Sequence, residues 1–204
     1  MFATGGTGGV HRGAESTFDI SSDLIELSRT KVAVVSAGAK SVLDIPKTLE
    51  MLETLGVPVV GYGTSAFPAF YVRSSAQPVS ARFDTPAEIA DFLKCHWGLE
   101  GRGVLIVQPV DEKVALTAEE FESALAQANE IVGDLRGPGV TPALLAALAD
   151  VTGSQSLRTN RELIIANARL AAQVACHLSD HKPDRKSTRL NSSHIQKSRM
   201  PSSA

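Results

Sequence analysis

Lys40 is a candidate nucleophile, because it lies in a glycine-containing turn, Ala37-Gly-Ala-Lys40, directly after the apolar run Lys31-Val-Ala-Val-Val-Ser36. A lysine at the carboxyl end of a buried strand loses part of its hydration, which favours the neutral amine that attacks a carbonyl carbon. The position is equally compatible with an exposed lysine at the start of a helix. Residue type and place alone leave both interpretations open.

A glycine-rich segment near the start of the chain, Gly5-Gly-Thr-Gly-Gly-Val-His-Arg-Gly13, is a second candidate. His11 stands where the dinucleotide-binding pattern requires its third glycine, and the Gly-Lys-Ser/Thr ending of a P-loop is missing. Glycines let the backbone approach an anion closely, and His11 and Arg12 add donors. The segment therefore predicts either an anion-binding loop or a tight connecting turn.

Two carboxylates and a hydroxyl, Asp19, Ser21 and Asp23, cluster before a predicted helix. Hard oxygen ligands of this kind suit Mg²⁺ or Mn²⁺. The same residue types also cap helices, and Asp19 or Ser21 suits the free amides at this helix start. The spacing is compatible with metal binding and with capping.

Asn160 and Asn167 are seven residues apart on an amphipathic stretch and therefore share one face of a predicted helix. On an otherwise apolar face, their amides are candidates to reach into a site. The alternative is that solvent or the backbone satisfies them.

The elements that position these residues alternate between strands and helices, which predicts an α/β domain with α/β/α layers and a mostly parallel central sheet. Ligands bind outside the carboxyl ends of such strands, where Lys40 and the glycine-rich segment are expected to lie. The apolar runs predict buried strands at 31–36, 57–61 and 103–107 and an extended segment at 67–72. The predicted helices are 21–28, 46–55, 86–93, 117–135, 141–148 and 156–178.

Composition excludes several classes of protein. With 43% apolar and 21% charged residues, the 204-residue chain has the balance of a globular protein. The formal charge of −2 disfavours a nucleic-acid partner, and no apolar run approaches the ~20 residues of a membrane span. The two cysteines do not form a disulfide framework, which favours a soluble, reducing compartment such as the cytoplasm.

The two ends differ from the rest. Residues 184–204 hold five of the 20 basic residues but one of the 22 acidic residues, and 184–194 match a translated sequencing adapter. We expect this segment to be a disordered artefact. Residues 1–183 are expected to form an incomplete α/β domain, because the chain enters the glycine-rich segment without a preceding strand.

Several blocks in series resemble the pseudouridine-5′-phosphate glycosidases, also described as indigoidine synthase A-like proteins, over residues 1 to 178. These blocks are Phe2-Ala-Thr-Gly-Gly-Thr-Gly-Gly-Val-His-Arg-Gly-Ala14, Phe18-Asp-Ile-Ser-Ser-Asp-Leu24, Ala37-Gly-Ala-Lys-Ser-Val-Leu-Asp44, Leu49-Glu-x-Leu-Glu-Thr-x-Gly-Val57 and Ser156-Leu-x-x-Asn160.

The resemblance implies reversible conversion of pseudouridine 5′-phosphate and water into uracil and ribose 5-phosphate. It also implies a divalent cation, usually Mn²⁺, and a homotrimer. By position, Lys40 matches the covalent nucleophile, Asp19 the metal ligand and Asn160 a polar contact in the pocket. The run Ser21, Ser22 and Asp23 matches the substrate-binding run, and Thr4 and His11 fall where phosphate or base contacts are expected.

The chain also departs from this family. Its members carry an earlier portion with a glutamate proton donor and a substrate-binding lysine, and some carry a fused sugar-kinase domain. Neither the glutamate nor the lysine has a counterpart here, so we expect the isolated chain to be inactive. The alternative is a non-catalytic phosphate- or nucleotide-binding α/β module, in which Lys40 is a solvated residue at a helix start.

Overall fold

A computed structural model of the chain describes residues 1–133 and 139–179. Strands and helices are numbered along the chain. The central sheet has five strands in the order β1-β3-β7-β5-β6, and every neighbouring pair is parallel. These strands are β1 (Phe2–Ala3), β3 (Ala33–Ser36), β5 (Val59–Tyr62), β6 (Ala81–Phe83) and β7 (Val104–Val107). A separate antiparallel pair joins β2 (Val10–His11) to β4 (Leu43–Asp44).

Helices pack on both faces of this sheet, as predicted. They are α1 (Ala14–Thr17), α2 (Ser22–Arg29), α3 (Ile45–Thr54), α4 (Pro86–Gly98), α5 (Ala118–Val132), α6 (Val140–Val151) and α7 (Gln155–Leu178). Side chains alternate along β3: Val34 joins the core beneath α2 and α3, whereas Ala33 and Val35 join the core beneath α4 and α7. The α/β/α layering is therefore confirmed in the described residues.

The helix starts follow capping rules that the residue types indicate. Ser21 caps α2, because its hydroxyl accepts a hydrogen bond from the amide of Asp23 at 3.3 Å. Thr117 and Glu120 form a reciprocal capping box at the start of α5. The described part of the chain thus begins these helices close to the predicted positions.

Several elements differ from the predictions. The short strand β1 precedes the glycine-rich segment although no strand was expected there, and α1, β2 and β4 were not predicted. Two further differences have a clear physical reason. Residues 67–72 are not an extended strand, because Phe70 has a φ of +63° and its neighbours make only isolated bridges. Phe67 and Phe70 are buried against the core instead, so their apolar pattern reflects packing rather than strand pairing. Conversely, β6 was not predicted, because Arg82 is exposed and its neighbours are only half-buried.

The segment 184–204, predicted to be a disordered artefact, lies outside the described residues. Among the residues that the structure describes, none of the helices is both long and apolar enough to span a lipid bilayer.

Gly38 is required by the turn that follows β3. Its φ is +86°, and a Cβ there would overlap the carbonyl oxygen of Pro68. We expect Gly38→Ala to lower the free energy of unfolding by at least about 2 kcal/mol, since the left-handed backbone and the overlap both oppose alanine. Urea denaturation measures this loss.

Gly98 is the matched control, because it ends α4 and a Cβ there would meet nothing within 4 Å. Gly98→Ala should change the free energy of unfolding by less than about 1 kcal/mol. Equal losses in the two variants would contradict the assigned role of Gly38.

Candidate active site

The glycine-rich loop lies along the turn that carries Lys40. Three backbone hydrogen bonds join them: Ala37 N–H donates to Gly5 O at 2.8 Å, Thr7 N–H to Gly38 O at 3.0 Å, and Lys40 N–H to Thr7 O at 3.0 Å. We call these three bonds the loop–turn ladder. Because β1 and β3 are neighbouring parallel strands, the segments leaving their carboxyl ends meet at the same edge of the sheet. The predicted proximity of Lys40 and the glycine-rich loop is confirmed.

Glycines are needed in this loop because side chains pack directly against its backbone. A Cβ on Gly6 would lie 2.6 Å from the ring of Phe70 and 3.2 Å from the backbone nitrogen of Lys40. A Cβ on Gly5 would lie 3.1 Å from the amide oxygen of Asn160. The missing side chains therefore allow Phe70, Lys40 and Asn160 to approach one stretch of backbone.

The hydrogen bonds made by the backbone amides bear on whether the glycine-rich loop can bind an anion. The amides of Thr4, Thr7 and His11 donate to backbone carbonyls. The amides of Gly8 and Val10 donate to side-chain oxygens. Four of the nine amides of the loop, and that of Thr4 just before it, thus already have protein acceptors, so a large part of the loop backbone is engaged by the protein itself.

Ser21 and Asp23 attach the start of α2 to the middle of the loop. Asp23 Oδ2 accepts a hydrogen bond from Gly8 N–H at 2.8 Å, and Ser21 N–H donates to Gly9 O at 2.9 Å. Ser21 also caps α2, so the capping interpretation holds for this residue. Ser22 and Asp23 are exposed and Ser21 is half-buried, which leaves this run accessible to a ligand.

Asp19 and His11 form a second polar pair on the loop. His11 N–H donates to Asp19 O at 3.0 Å, and His11 Nδ1 lies 3.7 Å from Asp19 Oδ2. The Asp19 side chain is 40% exposed and that of His11 is 20% exposed. In the described ranges, no group of three His, Cys, Asp or Glu side chains is arranged to hold a metal ion.

Both asparagines of α7 face the start of the loop, as their spacing predicts. Asn167 donates through Nδ2 to Thr4 O at 2.8 Å and to Gly5 O at 3.3 Å. The amide oxygen of Asn160 is buried against Gly5 and has no hydrogen-bond partner within the described part of the chain. Asn160 therefore offers a free acceptor beside the loop.

Three residues at the site were not predicted. Gln108 follows β7 and donates to the amide oxygen of Asn167 at 2.9 Å. Thr48 accepts from Val10 N–H at 2.9 Å, and Phe70 covers Gly6. The position of Gln108 after a buried strand was a usable signal, whereas Thr48 and Phe70 act through contacts that residue spacing does not reveal.

Two cavities border the site. One of about 340 Å³ lies beside the edge strand β1 and is lined by Thr4, Thr7 and Asp23 together with apolar residues. The other, of about 550 Å³, lies on the β2–β4 side and includes Arg12 and Ser41 in its lining. Neither lining includes Lys40, so the predicted site residues surround the loop without all facing one of these two cavities.

An ion-pair cluster fixes the helix start beyond Lys40. Lys47 Nζ lies 2.7 Å from Glu15 Oε2 and 3.1 Å from Asp44 Oδ2. Hydrogen bonding to Lys47 lowers the pKa of Glu15, and hydrogen bonding to both carboxylates raises the pKa of Lys47. Burial alone would raise the pKa of Asp44, but hydrogen bonds from Lys47 lower it. The cluster stabilises the β4–α3 corner.

Tyr71 lies beneath the site, next to Phe70. Burial raises the pKa of the Tyr71 hydroxyl to about 12, against a smaller opposing effect of its hydrogen bond with Ser156. Tyr71 is therefore neutral over the physiological pH range, and it acts as a packing residue.

These features define an α/β protein whose lysine-bearing turn is held against a glycine-rich loop at the carboxyl edge of a parallel sheet. The model of the family described as indigoidine synthase A like protein matches residues 1–177. The chain belongs to this family.

Relatives with curated names agree with the family. The chain is 53% identical over 183 residues to a pseudouridine-5′-phosphate glycosidase of Solibacter usitatus, covering 87% of this chain and 60% of the relative. It is 52% identical over 181 residues to the protein of that name from Methylobacterium nodulans, covering 87% of this chain and 54% of the relative. The chain thus spans about three fifths or less of the length of these relatives.

Solved structures share the fold. The prealnumycin C-glycosynthase AlnA, in complex with ribulose 5-phosphate, has a TM-score of 0.81 and 41% identity, covering 87% of this chain and 60% of that protein. An indigoidine synthase A-like protein from Thermotoga maritima has a TM-score of 0.77 and 36% identity, covering 85% of this chain and 57% of that protein.

A side chain at Gly8 would separate the loop from α2. A Cβ there would overlap Ser21 Oγ and lie 2.9 Å from Asp23 Oδ2. We expect Gly8→Ala to lower the free energy of unfolding by about 1–3 kcal/mol, because the hydrogen bond from Gly8 to Asp23 is strained or lost. Thermal or urea unfolding measures the change.

The double variant Gly8→Ala with Ser21→Gly is the sharper test. Glycine at a helix N-cap is only a few tenths of a kcal/mol worse than serine, and here it removes the overlapping hydroxymethyl group. The double variant should therefore be more stable than the sum of the single effects indicates. Simple additivity would show that Gly8 and Ser21 do not constrain each other.

Proposed function

We propose that this chain is the lysine-bearing part of a pseudouridine-5′-phosphate glycosidase, which reversibly cleaves the carbon–carbon glycosidic bond of pseudouridine 5′-phosphate to give uracil and ribose 5-phosphate. The observation that carries the proposal is the loop–turn ladder, which fixes the backbone of Lys40 beside the loop. Relatives named for this activity at 53% and 52% identity support it. The C-glycosynthase neighbour, bound to a pentulose phosphate, supports the same class of chemistry.

A lysine suits this reaction because no heteroatom joins the sugar to the base. Attack of the Lys40 amine on C1′ breaks the C1′–O4′ bond, and the ring oxygen takes up a proton. The nitrogen lone pair then forms an iminium at C1′ while the bond from C1′ to uracil C5 breaks and C5 takes up a proton. Water hydrolyses the iminium, which releases ribose 5-phosphate and restores the lysine.

The residues around the loop have roles that follow from their contacts. The exposed carboxylate of Asp23 is a candidate to move protons, while its bond to Gly8 limits its motion. The unpaired amide oxygen of Asn160 is buried against Gly5, and once this half-buried side chain turns towards the surface it is a candidate to accept a hydrogen bond from a sugar hydroxyl or a uracil N–H. Ser21, Ser22, Thr4 and His11 are further candidates for substrate contacts.

Asp19 fits a divalent cation that takes only one or two ligands from the protein. The Asp19 carboxylate is 40% exposed, and cations such as Mg²⁺ bind through one or two carboxylates with water and substrate phosphate completing the shell. Mn²⁺ takes the same hard oxygen ligands. When bound, the cation would neutralise phosphate charge and orient polar groups. Assembly as a homotrimer and a cytoplasmic location stay predictions of the resemblance and the composition.

The alternative, a non-catalytic phosphate- or nucleotide-binding module, has less support. Such a module needs free backbone amides in the glycine-rich loop, and four of the nine there donate to protein acceptors. No observation favours it over the lysine-centred reaction.

Borohydride trapping tests the assignment of Lys40. An iminium between Lys40 and ribose 5-phosphate is reduced to a stable secondary amine, so peptide mass spectrometry should locate the added pentose phosphate on Lys40. To supply the parts that the relatives have in addition, this chain replaces the matching region of the Solibacter usitatus relative in a chimaera. Lys40→Arg should abolish trapping while keeping the positive charge.

Lys47→Arg is the control, because Lys47 lies on the same segment but is paired with Glu15 and Asp44. It should trap as well as the unaltered protein. Modification of Lys47, or of many lysines without preference for Lys40, would refute the nucleophile assignment.

Manganese binding tests Asp19. Titration followed by the electron paramagnetic resonance signal of free Mn²⁺ should give an affinity that Asp19→Asn weakens by about tenfold or more, because a carboxylate ligand is lost. Asp44→Asn removes a carboxylate that is engaged by Lys47 and should leave the affinity unchanged. Equal weakening in both variants would indicate a general charge effect instead of ligation.

A further inference from the structure

Asn167 is a buried polar residue that joins three separate parts of the candidate site. It is 1% exposed and lies in the middle of α7. Its Nδ2 donates to two successive carbonyls, Thr4 O and Gly5 O, and its Oδ1 accepts from Gln108 Nε2. Neither the family's blocks nor the function proposed above uses this residue.

Only a carboxamide satisfies these partners. Two carbonyl oxygens on one side require a donor, and the Gln108 amide on the other side requires an acceptor. Leucine of similar size offers neither, and a carboxylate would face the two carbonyls without a proton to donate. The arrangement is therefore specific for asparagine at this position, and an unpaired buried group here would be costly.

One of the two carbonyls that Asn167 holds, that of Gly5, belongs to the loop–turn ladder, and that of Thr4 directly precedes it. Gly5 O also accepts from Ala37 N–H at 2.8 Å, in the turn that leads to Lys40. Gln108 extends the connection, because its own backbone amide donates to Ser36 O at 3.1 Å, at the end of β3. The segments that follow β1, β3 and β7 thus meet at one side chain.

We propose that Asn167 is a positioning residue for Lys40: by fixing the Thr4 and Gly5 carbonyls, it sets the loop–turn ladder and thereby the place of the lysine backbone. The effect on reaction with a sugar phosphate rests on the proposed function, whereas the effect on the ladder does not. Asn160, two turns earlier on α7, lies against the same glycine, so one helix orders the loop and presents a free acceptor beside it.

The variant Asn167→Asp distinguishes a positioning role from a simple loss of stability, because the defect that positioning predicts depends on pH. The groups that hydrogen-bond Asn167 are two backbone carbonyls and a carboxamide, none of which titrates. Burial and the carbonyl oxygens would raise the pKa of the new carboxyl group above its ordinary value of about 3.9. The neutral acid donates to one carbonyl, so the defect should shrink as the pH falls through this raised pKa.

Two readouts are measured: hydrogen exchange on the full 204-residue chain, and trapping on the chimaera described above, which supplies the parts that the relatives have in addition. In hydrogen exchange, Asn167→Asp at pH 8 should reduce the protection of the Ala37 and Lys40 amides, with partial recovery near pH 5.5 after correction for intrinsic exchange. In trapping of ribose 5-phosphate, the ratio of the unaltered rate to the variant rate should be about tenfold at pH 8 and fall towards one near pH 5.5. The concentration of ribose 5-phosphate that gives half-maximal trapping should change less in Asn167→Asp than the trapping rate does.

Gln108→Leu gives a second test if Asn167→Asp folds poorly, because it removes only the donor to Asn167 Oδ1 and should reduce protection of the same two amides to a smaller extent. Ser156→Ala is the control: Ser156 is equally buried on α7 but bonds to Thr152 and Tyr71 instead of the loop carbonyls, and its loss should leave both amides protected. A defect of Asn167→Asp that is independent of pH, or equal loss of protection in Ser156→Ala, would overturn the proposal. Altered exchange without any trapping in the unaltered chimaera would retain the positioning role and count against the proposed function.

Discussion

The arrangement of the site depends on backbone hydrogen bonding between the glycine-rich loop and the turn after β3. The bonds from Ala37 to Gly5, from Thr7 to Gly38 and from Lys40 to Thr7 place the two segments side by side where parallel strands end. Backbone bonds of this kind need close approach, and at Gly6 the missing Cβ would otherwise lie 3.2 Å from the backbone nitrogen of Lys40. What the residues of the loop contribute is therefore chiefly the absence of side chains, which allows Phe70, Ser21, Thr48 and Asn160 to pack against the main chain.

Much of the fold was predictable, because its dominant signals are local. The apolar run at 103–107 becomes the fully buried strand β7, and the Thr117–Glu120 pattern becomes an observed capping box. The errors arise where distant packing decides the conformation. Residues 67–72 have the composition of a strand but curve around the loop, whereas β6 forms at the sheet edge with few buried side chains. The hydrophobic periodicity of neighbouring residues predicts neither the bend at residues 67–72 nor the strand β6.

The residue types of the candidate site were predictable from the sequence, but the contacts that each residue makes were not. Lys40, Asp19 and the run Ser21 to Asp23 stand close to the loop, as expected for segments at the carboxyl ends of strands. The capping interpretation holds for Ser21, and Asp23 anchors Gly8, while metal binding at Asp19 stays a prediction. The contact between Gln108 and Asn167 joins residues 59 positions apart, and no spacing rule connects them.

The strand order explains how residues from 4 to 167 reach one region. Because β1, β3 and β7 are consecutive in the sheet, the segments that follow them share an edge, with α2 on one face and α7 on the other. Relatives of the chain include proteins named glycosidase, and a protein named C-glycosynthase superposes on it with a TM-score of 0.81. A backbone ladder does not contact the base or other carbon partner of the sugar. The shared part of the fold therefore explains how a lysine is held, and differences in the carbon partner must come from side chains around it.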